Sequence, residues 1–281
     1  LSYLRNLEEK REQVKNIITE QGNMTEEIAQ KLSIAQTMTE IEDIYRPFRP
    51  KRRTRATIAK EKGLEPLADL IWIQKLSDTL EHMAEPFLDT EKGVQTIEEA
   101  IAGAKDILAE RISDNADFRK LLRTEIIKNG FLTAKATDDT KQSVYEMYYC
   151  FQEPIKKVAG HRVLAINRGE NFLTVKIIPE EENKLLQKLE YKIILPQSNT
   201  KQLLQEVIAD SYKRLIAPSL EREIRNDMTE QAEENAIKVF RENLKQLLLQ
   251  PPIKDKVVLA LDPAFRTGCK IAVINQTGKT L

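Results

Sequence analysis

Apolar residues recur at helical spacing through much of the chain. Leu7, Val14 and Ile18 share one face of a first predicted helix. A turn interrupts this pattern, and Thr25 is placed to begin a second helix as its N-cap. A third, short helix is predicted over 39–45 and ends where a proline follows. The chain therefore begins with three helices.

The same periodicity continues over the next hundred residues. Thr96 followed by Glu99 is a capping-box pattern at the start of a helix. Ala116–Asn129 carry an apolar face, and Gly130 follows as a residue that ends the helix. Short helices joined by tight turns indicate a bundle with helix-turn-helix-like units.

The middle of the chain mixes two types of pattern. A short strand is predicted over 131–136, and a second over 172–178, where apolar and polar residues alternate. Long helices return after residue 199, with Pro218 in the first turn of the last one. Acidic residues of that helix, Glu223 among them, are spaced for pairs with basic neighbours on a solvent-facing surface.

The last residues read as two consecutive strands. Residues 256–261 form a buried-strand pattern that ends at Asp262, and 269–274 form a second strand. Ribonuclease H-like folds begin in this way. Two strands are only marginally stable by themselves, so we expect the chain to be a fragment of a longer protein. The predicted fold class is mainly α: a helical bundle, a small β element and the truncated start of an α/β ribonuclease H-like domain.

Composition excludes several classes of protein. The 281 residues carry 44 Lys+Arg and 44 Asp+Glu, and 41% are hydrophobic, which is enough for a core. Glycine and proline are scarce, and the two cysteines stand far apart. Collagen, disulfide-scaffold and membrane proteins are therefore excluded. No P-loop, dinucleotide fingerprint or nucleophile elbow is present, and no cofactor is predicted.

One segment departs from this even charge balance. Residues 46–60, called the basic segment below, hold seven basic residues and no acid. Such a run is an electrostatic footprint for phosphates and predicts contact with nucleic acid. The competing interpretation is a structural role, in which these side chains pair with acids elsewhere in the chain. The candidate nucleic-acid-binding residues are Arg46, Arg49, Lys51, Arg52, Arg53, Arg55 and Lys60.

Asp262 is the second candidate. A carboxylate at the end of a buried strand is a first ligand for divalent metals in phosphodiester hydrolysis. Further carboxylates would be needed to complete a two-metal site, and the residues that follow offer none. A structural role in an Asp-Pro turn is the alternative. We therefore predict no metal site and no catalytic residue in this chain, with Asp262 as a metal ligand only under the nuclease alternative.

Several strings resemble those of the bacterial Tex proteins. They are the segments 43–59, 63–68, 153–157, 218–225 and 261–270. The resemblance implies an elongated, mostly helical transcription accessory factor of the cytoplasm that binds RNA or DNA, with RNA polymerase as a possible partner. It also implies a YqgF/ribonuclease H-like domain, helix-hairpin-helix units and an S1 domain in the complete protein. Within the chain it implies three parts: a helical region over 1–130 that contains the basic segment, a mixed segment with long helices over 131–252, and the incomplete start of the YqgF-like domain over 253–281.

We interpret the chain as a non-catalytic, nucleic-acid-binding scaffold of a transcription accessory factor. Two alternatives remain open: a metal-dependent nuclease or resolvase, and a protein-interaction module that docks on RNA polymerase. No membrane association is predicted.

Overall fold

The computed structural model describes residues 2–75, 78–251, 253–264, 266 and 268–281. Within them the fold is mainly α, with two small sheets, as the hydrophobic pattern predicts. The helices, in chain order, are α1 (Ser2–Glu20), α2 (Glu26–Ile34), α3 (Met38–Tyr45), α4 (Arg55–Glu61), α5 (Glu65–Ile73), α6 (Leu80–Ala84), α7 (Ile97–Asp114), α8 (Ala116–Asn129), α9 (Gly160–Arg168), α10 (Glu182–Ile193), α11 (Lys201–Asp210) and α12 (Ala217–Leu248). None of these described helices combines the length and the apolar character needed to cross a bilayer.

The strands form two antiparallel sheets. The strands are β1 (Phe131–Ala136), β2 (Cys150–Pro154), β3 (Leu173–Ile178), β4 (Val258–Ala264) and β5 (Gly268–Ile274). In the first sheet β1 lies between β2 and β3. In the second, β4 pairs with β5 as a hairpin. The strands predicted over 131–136 and 172–178 correspond to β1 and β3.

Threonine side chains fix the start of many helices. Each accepts a hydrogen bond from a backbone N–H three residues further on, which satisfies a donor that the helix leaves unpaired. The helices α2, α3, α4 and α7 begin after Thr25, Thr37, Thr54 and Thr96 respectively. The two N-caps predicted at Thr25 and Thr96 are thus confirmed.

Buried apolar side chains form two separate clusters. The smaller cluster, called the small core below, joins α1, α2 and α3 through residues such as Val14, Leu32 and Ile41. The larger one joins the helices from α4 to α12 and the three-stranded sheet. Because the two clusters are distinct, polar contacts contribute to how α1–α3 are held against the rest of their unit.

A π-helix connects α11 to α12. Residues Ser211–Ile216 adopt it, and the Ala217 N–H donates to the Tyr212 carbonyl five residues before. Pro218 follows directly, and a proline lacks an N–H and clashes with the carbonyl four residues earlier in an α-helix. Pro218 therefore lies in the first turn of α12, as predicted, but the wider π turn lets the helix continue where a break was expected.

Gly130 ends α8 for a reason other than a left-handed backbone. Its φ is −85°. A Cβ at this position would lie 2.5 Å from the carbonyl oxygen of Ile126 and 3.0 Å from that of Ile178. The residue must be glycine because two backbone carbonyls approach it closely.

The chain divides into two compact units, Leu1–Ala232 and Glu233–Leu281, with the boundary inside α12. In the second unit, the hairpin of β4 and β5 leaves Leu259, Leu261 and Ile271 more than half exposed. The division into three parts that the sequence predicts stays a prediction.

Candidate nucleic-acid interface

The basic segment is held at both ends. Near its start, Phe48 packs against the small core, and the Phe48 carbonyl accepts a hydrogen bond of 3.0 Å from Gln21 Nε2. Near its centre, Thr54 and Thr57 form the capping box of α4 through reciprocal hydrogen bonds. The basic side chains between these points therefore project from an ordered backbone.

Two cations of the segment point inward. Lys51 Nζ bonds to the carboxylate of Asp114 and lies 3.3 Å from that of Glu110. Arg46 Nε lies 3.4 Å from Asp114 Oδ1. Burial raises the pKa of the Asp114 carboxyl, although Lys51 opposes the shift. Burial also lowers the pKa of Arg46, and the nearby charge of Arg119 lowers it further. The Asp114 side chain is 13% exposed, whereas those of Lys51 and Arg46 are 24% and 34% exposed, so the carboxylate is the most buried of the three groups.

The other five cations lie at the surface. Two of them have acidic partners: Lys60 Nζ is 2.7 Å from Glu65, and Arg53 Nη2 is 3.1 Å from Glu61. Arg49, Arg52 and Arg55 form no ion pair and no side-chain hydrogen bond within the described part of the chain. Some cations of the segment thus pair with acids, the charge of Arg55 acts on Asp106, and Arg49 and Arg52 have no acid partner among the described residues. Contact of the segment with nucleic acid stays a prediction.

A buried network of charges lies beside the segment. Arg119 Nε donates to Asp43 Oδ1 at 2.8 Å, and Arg119 Nη2 donates to Glu223 Oε2 and Ser219 Oγ, both at 3.2 Å. Arg123 Nη2 donates to Asp43 Oδ2 at 2.6 Å, and its Nε donates to Glu223. Two cations and two anions thus compensate each other and tie α3, α8 and α12 together. Glu223, which the sequence placed in solvent-facing pairs along its own helix, instead reaches across to α8.

The network and the basic segment border one cleft of about 800 Å³. Its charged lining comprises seven cations and five acids: Arg46, Arg49, Lys51, Arg52, Arg53, Arg119, Arg222, Glu42, Asp43, Glu110, Asp114 and Glu223. All five acids have a cation within 4 Å, whereas Arg49, Arg52 and Arg222 have no acid partner among the described residues. The cleft therefore carries a net positive charge.

The cleft brings together most, but not all, of the sequence-predicted residues. Arg55 and Lys60 do not line it, and the other five do. Sequence reasoning missed Arg119 and Arg222. A signal existed for Arg119, because it precedes the buried Leu122 and Ile126 of α8 by three and seven residues and so shares their face. Contact of these residues with nucleic acid stays a prediction.

Comparison with known families decides where the chain belongs. Residues 76–240 match the family model described as Tex central region-like, which covers more than half of the chain. The chain belongs to the Tex family. Residues 256–281 match a second model, described as the Tex protein YqgF-like domain. The resemblance carried by the sequence strings is thus confirmed.

Relatives of this Tex chain occur in bacteria and in animals. "Uncharacterized protein YdcI" of Bacillus subtilis is 50% identical over 99% of the chain, and "Transcriptional accessory protein Tex" of Neisseria gonorrhoeae is 33% identical over 100% of it. "S1 RNA-binding domain-containing protein 1" of Homo sapiens is 28% identical over 94%. The chain spans 40%, 38% and 28% of the length of these three relatives, respectively.

Asp262 lies in the part that matches the Tex YqgF-like domain. It is exposed in β4, directly opposite Lys270 of β5. In the described part of the chain, no three His, Cys, Asp or Glu side chains come together in a way that could hold a metal ion. A role for Asp262 as a metal ligand in this Tex chain stays an alternative hypothesis.

Proposed function

We propose that this part of a Tex protein binds nucleic acid as a non-catalytic scaffold of a transcription accessory factor. The observation that carries the proposal is the pair of exposed guanidinium groups of Arg49 and Arg52, which have no acid partner among the described residues and project from an anchored backbone. Unpaired cations attract phosphates and release the counterions around them. The planar guanidinium also matches the geometry of phosphate oxygens.

The relatives support the same class of function. One is named as a transcriptional accessory protein and another by an S1 RNA-binding domain. We therefore propose RNA or DNA as the ligand, the cytoplasm as the location and RNA polymerase as a further partner. The helix-turn-helix-like units, which the short helices and tight turns of the helical N-terminal region predict, stay part of this proposal.

The test compares two double charge reversals that change the net charge equally. Arg49→Glu with Arg52→Glu alters the unpaired cations of the basic segment. Arg5→Glu with Arg168→Glu, the control, alters two exposed arginines that have no partner among the described residues and lie outside the cleft. Affinity for single-stranded RNA and for duplex DNA is measured by fluorescence anisotropy over a range of salt concentrations.

The first variant should bind more weakly, and the slope of log affinity against log salt should fall by about two, one for each lost phosphate contact. The control should keep the slope of the unmodified chain. Equal losses in the two variants would show that only net charge matters, and equal affinity of the first variant and the unmodified chain would contradict the proposal.

A further inference from the structure

Among the described residues, two buried guanidinium nitrogens at the cleft have no hydrogen-bond acceptor. They are Nη1 of Arg119, a residue that is only 1% exposed, and Nε of Arg46. Both side chains line the cleft. Arg46 Nε lies 3.4 Å from Asp114 but makes no hydrogen bond to it. Buried polar groups are almost always paired, and a charged donor is costly to leave unpaired. These two nitrogens therefore require an acceptor that the described part of the chain does not supply.

The acids around the cleft already serve other cations. Asp43 and Glu223 each accept from both Arg119 and Arg123, and Asp114 accepts from Lys51. The charge of Arg119 acts on Arg46 and, after burial, lowers its pKa. Asp114, Asp43 and Glu223 oppose the effect of Arg119, but none of them accepts from the two unpaired nitrogens, which an anion bound in the cleft that both arginines line would do. Of the described acids that line the cleft, no other is left to do so, because Glu110 lies beside Lys51 and Glu42 beside Lys10.

The shape and rim of the cleft favour a phosphate on a larger molecule. A volume of about 800 Å³ exceeds that of a single anion and falls in the range of sites that hold ligands the size of a nucleotide. Arg49, Arg52 and Arg222 at its border are exposed and without acid partners among the described residues. A strand whose phosphate enters the cleft would therefore meet further cations along its backbone.

We propose that this cleft is a phosphate-binding site, in which Arg119 and Arg46 hold one phosphate of a nucleic-acid strand while the neighbouring phosphates lie along the arginines of the rim. The proposal rests on the nucleic-acid function proposed above. It adds a phosphate contact made by two buried donors, which are distinct from the exposed arginines of the basic segment. The same chemistry would accept the phosphate of a free nucleotide, and the experiment separates the two sources.

The principal variant is Arg46→Gln, which removes the unpaired donor and its charge while Arg119 keeps its bonds to Asp43 and Glu223. Arg46→Lys is the second variant, because it keeps the charge, lacks the guanidinium fork and preserves a cation next to Asp114. Arg5→Gln is the matched control on an exposed arginine outside the cleft. The intact 281-residue chain is used throughout, and far-ultraviolet circular dichroism verifies its folding.

The first arm measures the thermal midpoint in inorganic phosphate and in chloride at equal ionic strength, since a ligand that binds only the folded state raises the midpoint. We expect phosphate and adenosine monophosphate to raise it more in the unmodified chain and in Arg5→Gln than in Arg46→Gln, which keeps only the general stabilisation that phosphate gives to folded proteins. The second arm measures affinity for a single-stranded RNA by anisotropy. Arg46→Gln should bind about tenfold more weakly, as expected for one lost charged hydrogen bond, with a smaller loss in Arg46→Lys.

Each outcome decides the proposal. Loss in both arms supports a phosphate site that nucleic acid occupies, whereas loss of the phosphate effect with unchanged RNA affinity overturns the nucleic-acid source in favour of a free nucleotide. An equal stabilisation by poly-glutamate overturns phosphate in favour of an acidic peptide. An equal phosphate effect in the unmodified chain and in Arg46→Gln overturns the site itself. If Arg46→Gln does not fold, the same comparisons are made with Arg46→Lys. If Arg49→Glu with Arg52→Glu binds nucleic acid as tightly as the unmodified chain, only the proposed function is contradicted. The measurement of the thermal midpoint in phosphate uses no nucleic acid and therefore tests the site independently.

Discussion

Removal of the Asp43 carboxylate should release the first three helices from the rest of their unit. Asp43 is only 5% exposed and accepts hydrogen bonds of 2.8 Å from Arg119 and 2.6 Å from Arg123. In Asp43→Ala the buried Arg119 keeps Glu223 and Ser219 but loses its shortest bond. Breaking a buried ion pair from one side costs about 3–5 kcal/mol, and since other partners remain we expect the lower end, about 3 kcal/mol.

Hydrogen–deuterium exchange measures this effect where it arises. The small core of α1–α3 is separate from the main core, so the loss should appear as local opening of these helices. A change of about 3 kcal/mol corresponds to exchange roughly a hundredfold faster in α1–α3. Amides of α11 and β1, which belong to the main core, should exchange at the rate of the unmodified chain.

The neighbouring acid provides the control. Glu42 lies 2.7 Å from Lys10, and its side chain is 45% exposed, so Glu42→Ala should cost less than about 1 kcal/mol. Equal exchange in the two variants would refute the reasoning, because it would mean that burial of the Asp43 network contributes nothing to the attachment of α1–α3. Uniform acceleration across both cores would show that α1–α3 do not open separately.

Three further predictions follow from other parts of the chain. Burial raises the pKa of Tyr212 to about 12, so its contribution to stability is complete below pH 10 and is lost as the pH rises toward 12; alkaline unfolding of Tyr212→Phe should lack this component, on the order of 2 kcal/mol. Amides of Val258 and Leu259 in the hairpin should exchange faster than those of α7, and equal protection would show that the hairpin is well supported in this chain. The purified chain should not cleave single-stranded, duplex or branched DNA, or RNA, in magnesium or manganese, whereas cleavage that Asp262→Asn abolishes would establish the nuclease alternative.

Local signals account for the part of the fold that the sequence predicted well. The bounds of α8 and β1 agree with the prediction, since each element has a clear apolar pattern and Gly130 separates them. The helix α10 was not assigned, although Leu185, Leu189 and Ile193 recur every four residues and are buried. The sequence does not predict the π-helix either. A proline indicates that the α-helical hydrogen bonding is interrupted, but it does not indicate whether the helix breaks or adopts a wider turn.

The candidate site was harder to predict because charge compensation is a property of the folded chain. Asp43 and Arg119 are 76 residues apart, and Arg119 and Glu223 are 104 apart, yet they form one network. Because the sequence has equal numbers of acids and bases, every cation could have an acid partner. The sequence does not identify which cations lack one in the folded chain.

The structure shows which cations have acid partners and which have none among the described residues. Lys51 forms an ion pair with Asp114, and Arg53 forms one with Glu61. The seven cations of the basic segment therefore do not form one uniform patch. The groups left over are of two kinds: exposed guanidinium groups that suit a solvated phosphate backbone, and the buried donors of Arg46 and Arg119, which suit a desolvated anion. A protein that used only the first kind would bind nucleic acid with an affinity that salt abolishes. An anion held by the second kind is screened much less by salt, so part of the affinity should persist at high ionic strength in the unmodified chain and disappear in Arg46→Gln.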